Sequence, residues 1–141
     1  MPKSTDELLN ILKKSSSLSS FLNEQNYELT EQIPLSIYLN DLLTQKHLKK
    51  SDIIRLSGLD RGYAYDIFSG AKNPARDKIL ALCFAFRLTD VETQKLLKST
   101  GYPPLYIKIT RDSIILYALQ HHLSLSDVNE LLYEHYFPCL V

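Results

Sequence analysis

One face of a short predicted helix carries the side chains best suited to molecular recognition. The helix is predicted for residues 61–69, and its polar face consists of Arg61, Gly62, Tyr65, Asp66 and Ser69. Its other face is apolar, because Ala64, Ile67 and Phe68 recur at helical spacing. The major groove of DNA admits an α-helix, and the base pairs present hydrogen-bond donors and acceptors there. The chemistry that this face suggests is therefore recognition of base-pair edges.

The residues that precede this helix predict another helix and a tight turn. The first helix is expected from about Lys50 to Ser57. Gly58 can end it in the left-handed conformation without a Cβ penalty. Leu59 is apolar and can fill the gap between the two helices, and Asp60 has the short oxygen-bearing side chain that caps a new helix. This order of signals is typical of a helix, a tight turn and a second helix.

Apolar periodicity predicts helices on both sides of this segment as well. They are expected over residues 5–14, around 18–22, and over 35–45, 75–86, 90–99, 111–121 and about 125–133. Thr5, Thr110 and either Ser124 or Ser126 are the expected N-caps. We count about eight helices and no convincing strand, since the alternating run 105–109 has no obvious partner. The fold class is therefore predicted to be all-α.

Residues 48–74 resemble the helix-turn-helix of phage-repressor proteins, the family of lambda repressor and the Xre-like bacterial regulators. The matching positions are Leu48, Ile53, Ile54, Gly58, Leu59, Ala64, Ile67, Gly70 and Pro74, and the run Asp66-Ile-Phe-Ser-Gly70 is especially similar. The resemblance covers residues 34–100 and implies a lambda-repressor-like bundle of about five helices. Residues 1–33 would form an N-terminal helical segment, and residues 101–141 a C-terminal helical hairpin.

The resemblance also implies roles for individual residues. Lys50 matches a position that contacts a phosphate, and Lys supplies such a contact as a point charge. Arg61 and Gly62 match positions that reach base edges, where Arg61 could bond guanine O6 and N7. The complete implied DNA-contacting set is Lys50, Arg61, Gly62, Tyr65, Asp66, Ser69, Lys72 and Asn73. The implied protein is a transcriptional regulator that binds double-stranded DNA sequence-specifically.

The charge distribution bears on this hypothesis in two ways. The chain of 141 residues has 16 basic and 16 acidic residues, so its net charge is zero. A nucleic-acid binder normally has a basic surface. Residues 46–80, however, hold 8 basic and 4 acidic residues, whereas both flanking regions are net acidic. A belt of cations around the second helix would supply the local field; the candidates are Lys46, Lys49, Lys50, Arg61, Lys72 and Arg76.

A different function class remains open. The same helical scaffold could bind a protein partner, with weak or lost DNA binding. Gly62 offers no side chain at a principal reading position, and Asp66 has the wrong sign for a phosphate-rich surface. The C-terminal region is rich in aromatic residues, which are favoured at interfaces. It could therefore hold a protein partner, or form a homodimer surface that brings two recognition helices to successive major grooves.

Other kinds of chemistry find little support in the sequence. His121, His122, His135 and Cys139 are zinc-ligand types, but they lack the paired spacing of closed zinc sites. No catalytic or phosphate-loop motif occurs, so neither an enzyme nor a cofactor is expected. No apolar run approaches the ~20 residues of a membrane span, and the N-terminus lacks a secretory apolar segment. A cytoplasmic location is expected, without a disulfide framework.

A weak internal similarity links two parts of the chain. Residues 89–97 and 126–132 both place Asp-Val before a Leu-Leu pair. The similarity could reflect two similar helical hairpins, although helix caps followed by apolar faces also produce such likeness by chance.

Overall fold

The computed structural model describes residues 3–24 and 32–141. The chain divides into two compact units, residues 1–31 and residues 32–141. In the described ranges all regular elements are α-helices, nine in number. The all-α prediction is therefore confirmed, and each of the nine helices overlaps one of the predicted ranges, although the approximate count was eight. Residues 105–109 do not form a strand; they belong to an irregular and turn segment.

The first unit contains two short helices, α1 (Thr5–Lys14) and α2 (Leu18–Glu24). The N-cap of α1 is Ser4, whose Oγ accepts a hydrogen bond from the Glu7 N–H at 3.1 Å. The prediction that Thr5 is the cap was wrong by one residue. Ser4 keeps an extended backbone, with φ −69° and ψ 163°, whereas Thr5 is already helical.

The second unit contains seven helices: α3 (Leu35–Lys46), α4 (Lys50–Leu56), α5 (Arg61–Ser69), α6 (Arg76–Ala85), α7 (Asp90–Ser99), α8 (Thr110–Gln120) and α9 (Leu125–Glu134). They share one hydrophobic core, to which every one of the seven contributes a buried apolar side chain. Helix α6 is the central element, since all its residues from Ile79 to Ala85 are buried. Its expected first residue, Ala75, instead precedes the helix as the N-cap.

Five helices of the second unit end in the same way. A left-handed residue follows the helix, and the next N–H bonds back to a carbonyl five residues earlier, which is the Schellman arrangement. The bonds are Leu48 to Leu43, Leu88 to Cys83, Tyr102 to Leu97, Leu123 to Ala118 and Phe137 to Leu132, at 2.8 to 3.0 Å. Only one of the left-handed residues is glycine, Gly101; the others are His47, Arg87, His122 and Tyr136.

The helix starts correct one further prediction. Thr89 caps α7 and Ser124 caps α9, each in a reciprocal capping box, with Glu92 and Asp127 respectively. Thr110 does not cap α8. It is the first helical residue, and Ile109 precedes it with no side-chain cap bond.

The hairpins α6–α7 and α8–α9 repeat the same construction at a constant spacing of 35 residues (Arg76 to Arg111). Arg87 and His122 take the left-handed conformation at equivalent positions. Capping boxes begin the second helix of both hairpins. Gln94 Oε1 accepts from the Leu105 N–H, and Asn129 Oδ1 accepts from the Leu140 N–H, also 35 residues apart. The two hairpins are therefore similar, which was one of the two explanations left open for the internal similarity.

Reciprocal ion pairs join the two hairpins. Arg76 pairs with Asp112 at 2.7 Å, and Arg111 pairs with Asp77 at 2.8 Å, so each hairpin supplies one arginine and one aspartate.

The register suggested by the two Asp-Val pairs was wrong. The caps align Thr89 with Ser124, which places Asp90-Val91 opposite Leu125-Ser126 rather than Asp127-Val128.

Candidate nucleic-acid interface

The turn between α4 and α5 is fixed by local hydrogen bonds. Gly58 has φ +70°, the conformation expected from its position. The Ser57 side chain is fully buried, and its hydroxyl donates to Ile54 O at 2.7 Å while accepting from the Leu59 N–H at 3.2 Å. Sequence reasoning did not single out Ser57, although a serine directly before a turn glycine is a local signal for such a bond.

Asp60 sets the start of α5. Its Oδ2 accepts from the Tyr63 N–H at 3.0 Å, which confirms the predicted cap. Leu59 is partly buried against the core, as expected for a residue that fills the gap between the helices. The apolar face of α5, formed by Ala64, Ile67 and Phe68, is buried. The helix is thus held from both its turn and its inner face.

The outer face of α5 is open. Arg61, Gly62, Tyr65 and Ser69 are exposed, and Asp66 is half-buried. The Arg61 guanidinium lies 5.7 Å from the centre of the Tyr65 ring, within reach of a cation–π contact. At Gly62 a side chain would meet only Asp60 Oδ2, at 3.6 Å from an added Cβ. Tyr63 packs inward, with Lys78 Nζ 4.0 Å from its ring centre.

The loop after α5 is tied to the helix that it leaves. Gly70 has φ +88°, as expected for a left-handed helix end. The Asp66 carbonyl accepts from both the Ser69 hydroxyl at 3.1 Å and the Lys72 N–H at 3.2 Å. Lys72 and Asn73 follow as exposed residues. Their backbone therefore lies close to the C-terminal end of the polar face.

Two contacts bring other helices to the end of α5. Lys50, the first residue of α4, places Nζ 5.6 Å from the centre of the Phe68 ring. Asn40 of α3 donates from Nδ2 to the Phe68 carbonyl at 2.9 Å and to Ser36 O at 2.7 Å. Sequence reasoning missed Asn40, since its partner lies 28 residues away. The Lys50 ammonium is thereby held beside the same end of α5 as Lys72.

The belt of six cations is incomplete. Lys46 Nζ lies 3.1 Å from Glu92 Oε2, and Arg76 is bound by Asp112 and by the carbonyls of Pro103 and Pro104. These two side chains are therefore engaged within the fold. The cations that stay available around α5 are Lys49, Lys50, Arg61 and Lys72.

Glu92 serves the fold in two ways. Its carboxylate accepts from the Thr89 N–H and then pairs with Lys46, and these contacts hold the pKa of Glu92 below its ordinary value. The acid that neutralises Lys46 is thus the N3 residue of the α7 capping box. The pair belongs to helix capping rather than to a binding surface.

The zinc-type residues are not brought together. Within residues 3–24 and 32–141, no group of three or more His, Cys, Asp and Glu side chains is arranged to hold a metal ion. His121 instead stacks on Tyr117, with ring centres 4.2 Å apart.

Among the helices described, none combines the length and apolar character needed to cross a membrane.

Comparison with known proteins adds no relative. The chain matches no protein-family model, no curated protein and no solved structure.

Proposed function

We propose that this protein binds double-stranded DNA sequence-specifically and acts as a transcriptional regulator of the phage-repressor type. In this proposal α3 to α7 form the lambda-repressor-like bundle and α5 is the recognition helix. The observation that carries it is the exposure of Arg61 at the start of α5 and of Tyr65 in its middle. A helix held by its cap and its inner face, with a polar outer face, suits the major groove.

The proposed contacts follow from position. Arg61 would read guanine, Tyr65 and Asp66 would contact or exclude bases one turn on, and Gly62 would allow close approach. Phosphates would be contacted by Lys50, Ser69, Lys72 and Asn73. Few free cations surround α5, so one copy would bind weakly. A homodimer would place two such helices about 34 Å apart on one side of the duplex.

The test is a titration of the purified full chain against a library of genomic fragments at low and moderate salt. The proposal expects enrichment of a common sequence that persists when salt is raised, because base contacts depend on salt less than phosphate contacts do. Binding without any sequence preference at either salt would remove the proposal.

A protein-interaction module is the second candidate. Its support is the engagement of Lys46 and Arg76 within the fold, which reduces the proposed belt of six cations to four. Exposed tyrosines on the C-terminal hairpin, including Tyr136 at 97%, are suited to an interface. This candidate expects stoichiometric co-purification of one partner protein together with no fragment enrichment.

A further inference from the structure

A cavity of about 650 Å³ opens where the two equivalent hairpins meet. Its walls include three pairs of residues at the 35-residue spacing: Phe84 with Leu119, Arg87 with His122, and Leu88 with Leu123. None of the eight proposed DNA-contacting residues lines it. The volume falls in the range of ~300–1,000 Å³ that small-molecule sites occupy. The cavity is therefore a candidate small-molecule site that is separate from the polar face of α5.

The lining combines apolar walls with a mouth that contains the Arg87 guanidinium. Leu56, Ala85 and Leu125 complete the apolar walls, while Arg87 and His122 are exposed and come from the two connectors. The Arg87 side chain has no hydrogen-bond or ion-pair partner anywhere in the described ranges. The acid in the lining, Asp127, already accepts from the Ser124 N–H at 3.0 Å as part of its capping box. A permanent positive charge is thus left unpaired beside an apolar surface.

The backbone at Arg87 and at His122 would accept glycine. Arg87 has φ +58° and His122 has φ +55°, which is the left-handed region where glycine carries no Cβ penalty. Replacing either side chain by glycine removes its functional group without a steric cost to the helix end. This property separates a role in binding from a role in folding.

We propose that the cavity binds a small amphipathic carboxylate, whose hydrocarbon body packs between the leucines and whose carboxylate meets the Arg87 guanidinium. Bidentate pairing of a guanidinium with a carboxylate supplies orientation as well as affinity. Neutral or cationic molecules with the same body lack this contact. The lining residues thus select a ligand that has both a negative charge and a hydrocarbon body.

The cavity also touches the helix-turn-helix segment. Leu56 is the last residue of α4, and Leu125 Cδ2 would lie 3.7 Å from a Cβ placed on Gly58 in the turn before α5. A bound molecule would contact both hairpins and the end of α4. This last step rests on the proposed function: if the protein binds DNA, a ligand in the cavity should change its affinity for DNA.

The experiment is a titration of the ¹⁵N-labelled full chain with decanoate below its micellar concentration, followed by amide chemical shifts. The expected result is saturable binding, with the shifts concentrated at Leu88, Leu123 and Leu125. Decyltrimethylammonium, which has the same chain and the opposite charge, should not bind at these residues. Arg87→Gly should weaken decanoate binding about tenfold or more, as expected for loss of a charge-assisted contact.

His47→Gly is the matched control, because His47 has φ +55° at another helix end and lies outside the cavity. It should leave the affinity for decanoate unchanged. The proposal is overturned if no saturable binding occurs, if the cationic probe binds equally well, or if Arg87→Gly binds like the wild type. A DNA titration with and without decanoate is read separately. Decanoate binding without any DNA binding would keep the cavity and remove the proposed function.

Discussion

Arg76 and Asp112 form a two-point contact between the α6–α7 and α8–α9 hairpins, with N···O distances of 2.7 and 3.3 Å. The Asp112 side chain is only 2% exposed, and its Oδ2 also accepts from the Tyr106 N–H at 2.9 Å. The equivalent pair, Arg111 with Asp77, has an aspartate that is 37% exposed. The same Arg–Asp ion pair is therefore present twice between the hairpins, once with a buried aspartate and once with a more exposed one.

Asp112→Ala should lower the free energy of unfolding by about 3 kcal/mol, because it leaves the Arg76 charge and a backbone N–H without their acceptor. Asp77→Ala is the matched control and should cost about 1 kcal/mol, since the more exposed pair is screened by solvent. Urea denaturation of both variants measures the difference. Equal losses would contradict the dependence on burial.

Thr93→Val should raise the free energy of unfolding by up to about 1 kcal/mol. Thr93 is fully buried, and in the described part of the chain its hydroxyl has no nitrogen or oxygen partner within hydrogen-bond distance; its polar neighbour is the Cys83 thiol, a weak donor. The equivalent residue of the second hairpin is Val128, which is also fully buried. The reverse change, Val128→Thr, should cost about 1–3 kcal/mol. Denaturation midpoints that move in the same direction for both variants would rule out this explanation.

The contribution of the Glu92 carboxylate to stability should disappear in acid. Its pKa is lowered in the folded protein, first by the Thr89 N–H and then by Lys46. The stabilisation is therefore present above the unfolded pKa of about 4.3 and is lost as the pH falls through the lowered folded value. The stability difference between wild type and Glu92→Gln, measured by urea denaturation from pH 7 to pH 3, should shrink toward zero. Glu130→Gln, which changes an exposed residue of α9, is the control variant.

Only one of the two thiols should react under native conditions. Burial raises the pKa of the Cys83 thiol to about 12, and the side chain is fully buried in α6. Cys139 is exposed. A chromogenic disulfide reagent at pH 8 should titrate one thiol in the folded protein and two in denaturant. Cys139→Ser should abolish the fast reaction, whereas rapid labelling of that variant would show that α6 opens readily.

If the proposed function holds, alanine substitutions of Arg61 and Lys50 should change DNA binding in different ways. Arg61→Ala should relax specificity at one base pair by roughly 1–3 kcal/mol. Lys50→Ala should weaken binding to all sequences alike and reduce the salt slope by about 1. Lys98→Ala removes an equal charge from α7 and serves as the control. Fluorescence anisotropy with matched and single-mismatch duplexes at several salt concentrations distinguishes these outcomes.

The features predicted correctly from the sequence are those with local causes. The Asp60 cap and the left-handed Gly58 and Gly70 depend on neighbours within a few residues, so their residue types were sufficient. Thr5 and Thr110 failed as caps because a neighbouring residue can take the extended conformation just as well. For α1 the chemical type of the cap was right and its register was wrong, whereas α8 has no side-chain cap at all.

The availability of charged side chains could not be predicted in the same way. Lys46 and Arg76 sit near the helix-turn-helix segment, yet their partners Glu92 and Asp112 are 46 and 36 residues away. Similarly, the register of the repeated hairpins could not be read from the sequence, because Thr89 and Ser124, or Glu92 and Asp127, are chemically equivalent without being identical. The assignment of the polar α5 face to DNA stays a prediction.

The crossed arginine–aspartate pairs have a practical consequence for dissecting the protein. Each hairpin holds half of the groups that neutralise the other, and both contribute to one core. A fragment that stops at residue 100 would strand two opposite charges and uncover the apolar surface of α6. We therefore expect α6 to α9 to unfold as a single cooperative block, and truncation between them to yield aggregation rather than a smaller folded protein.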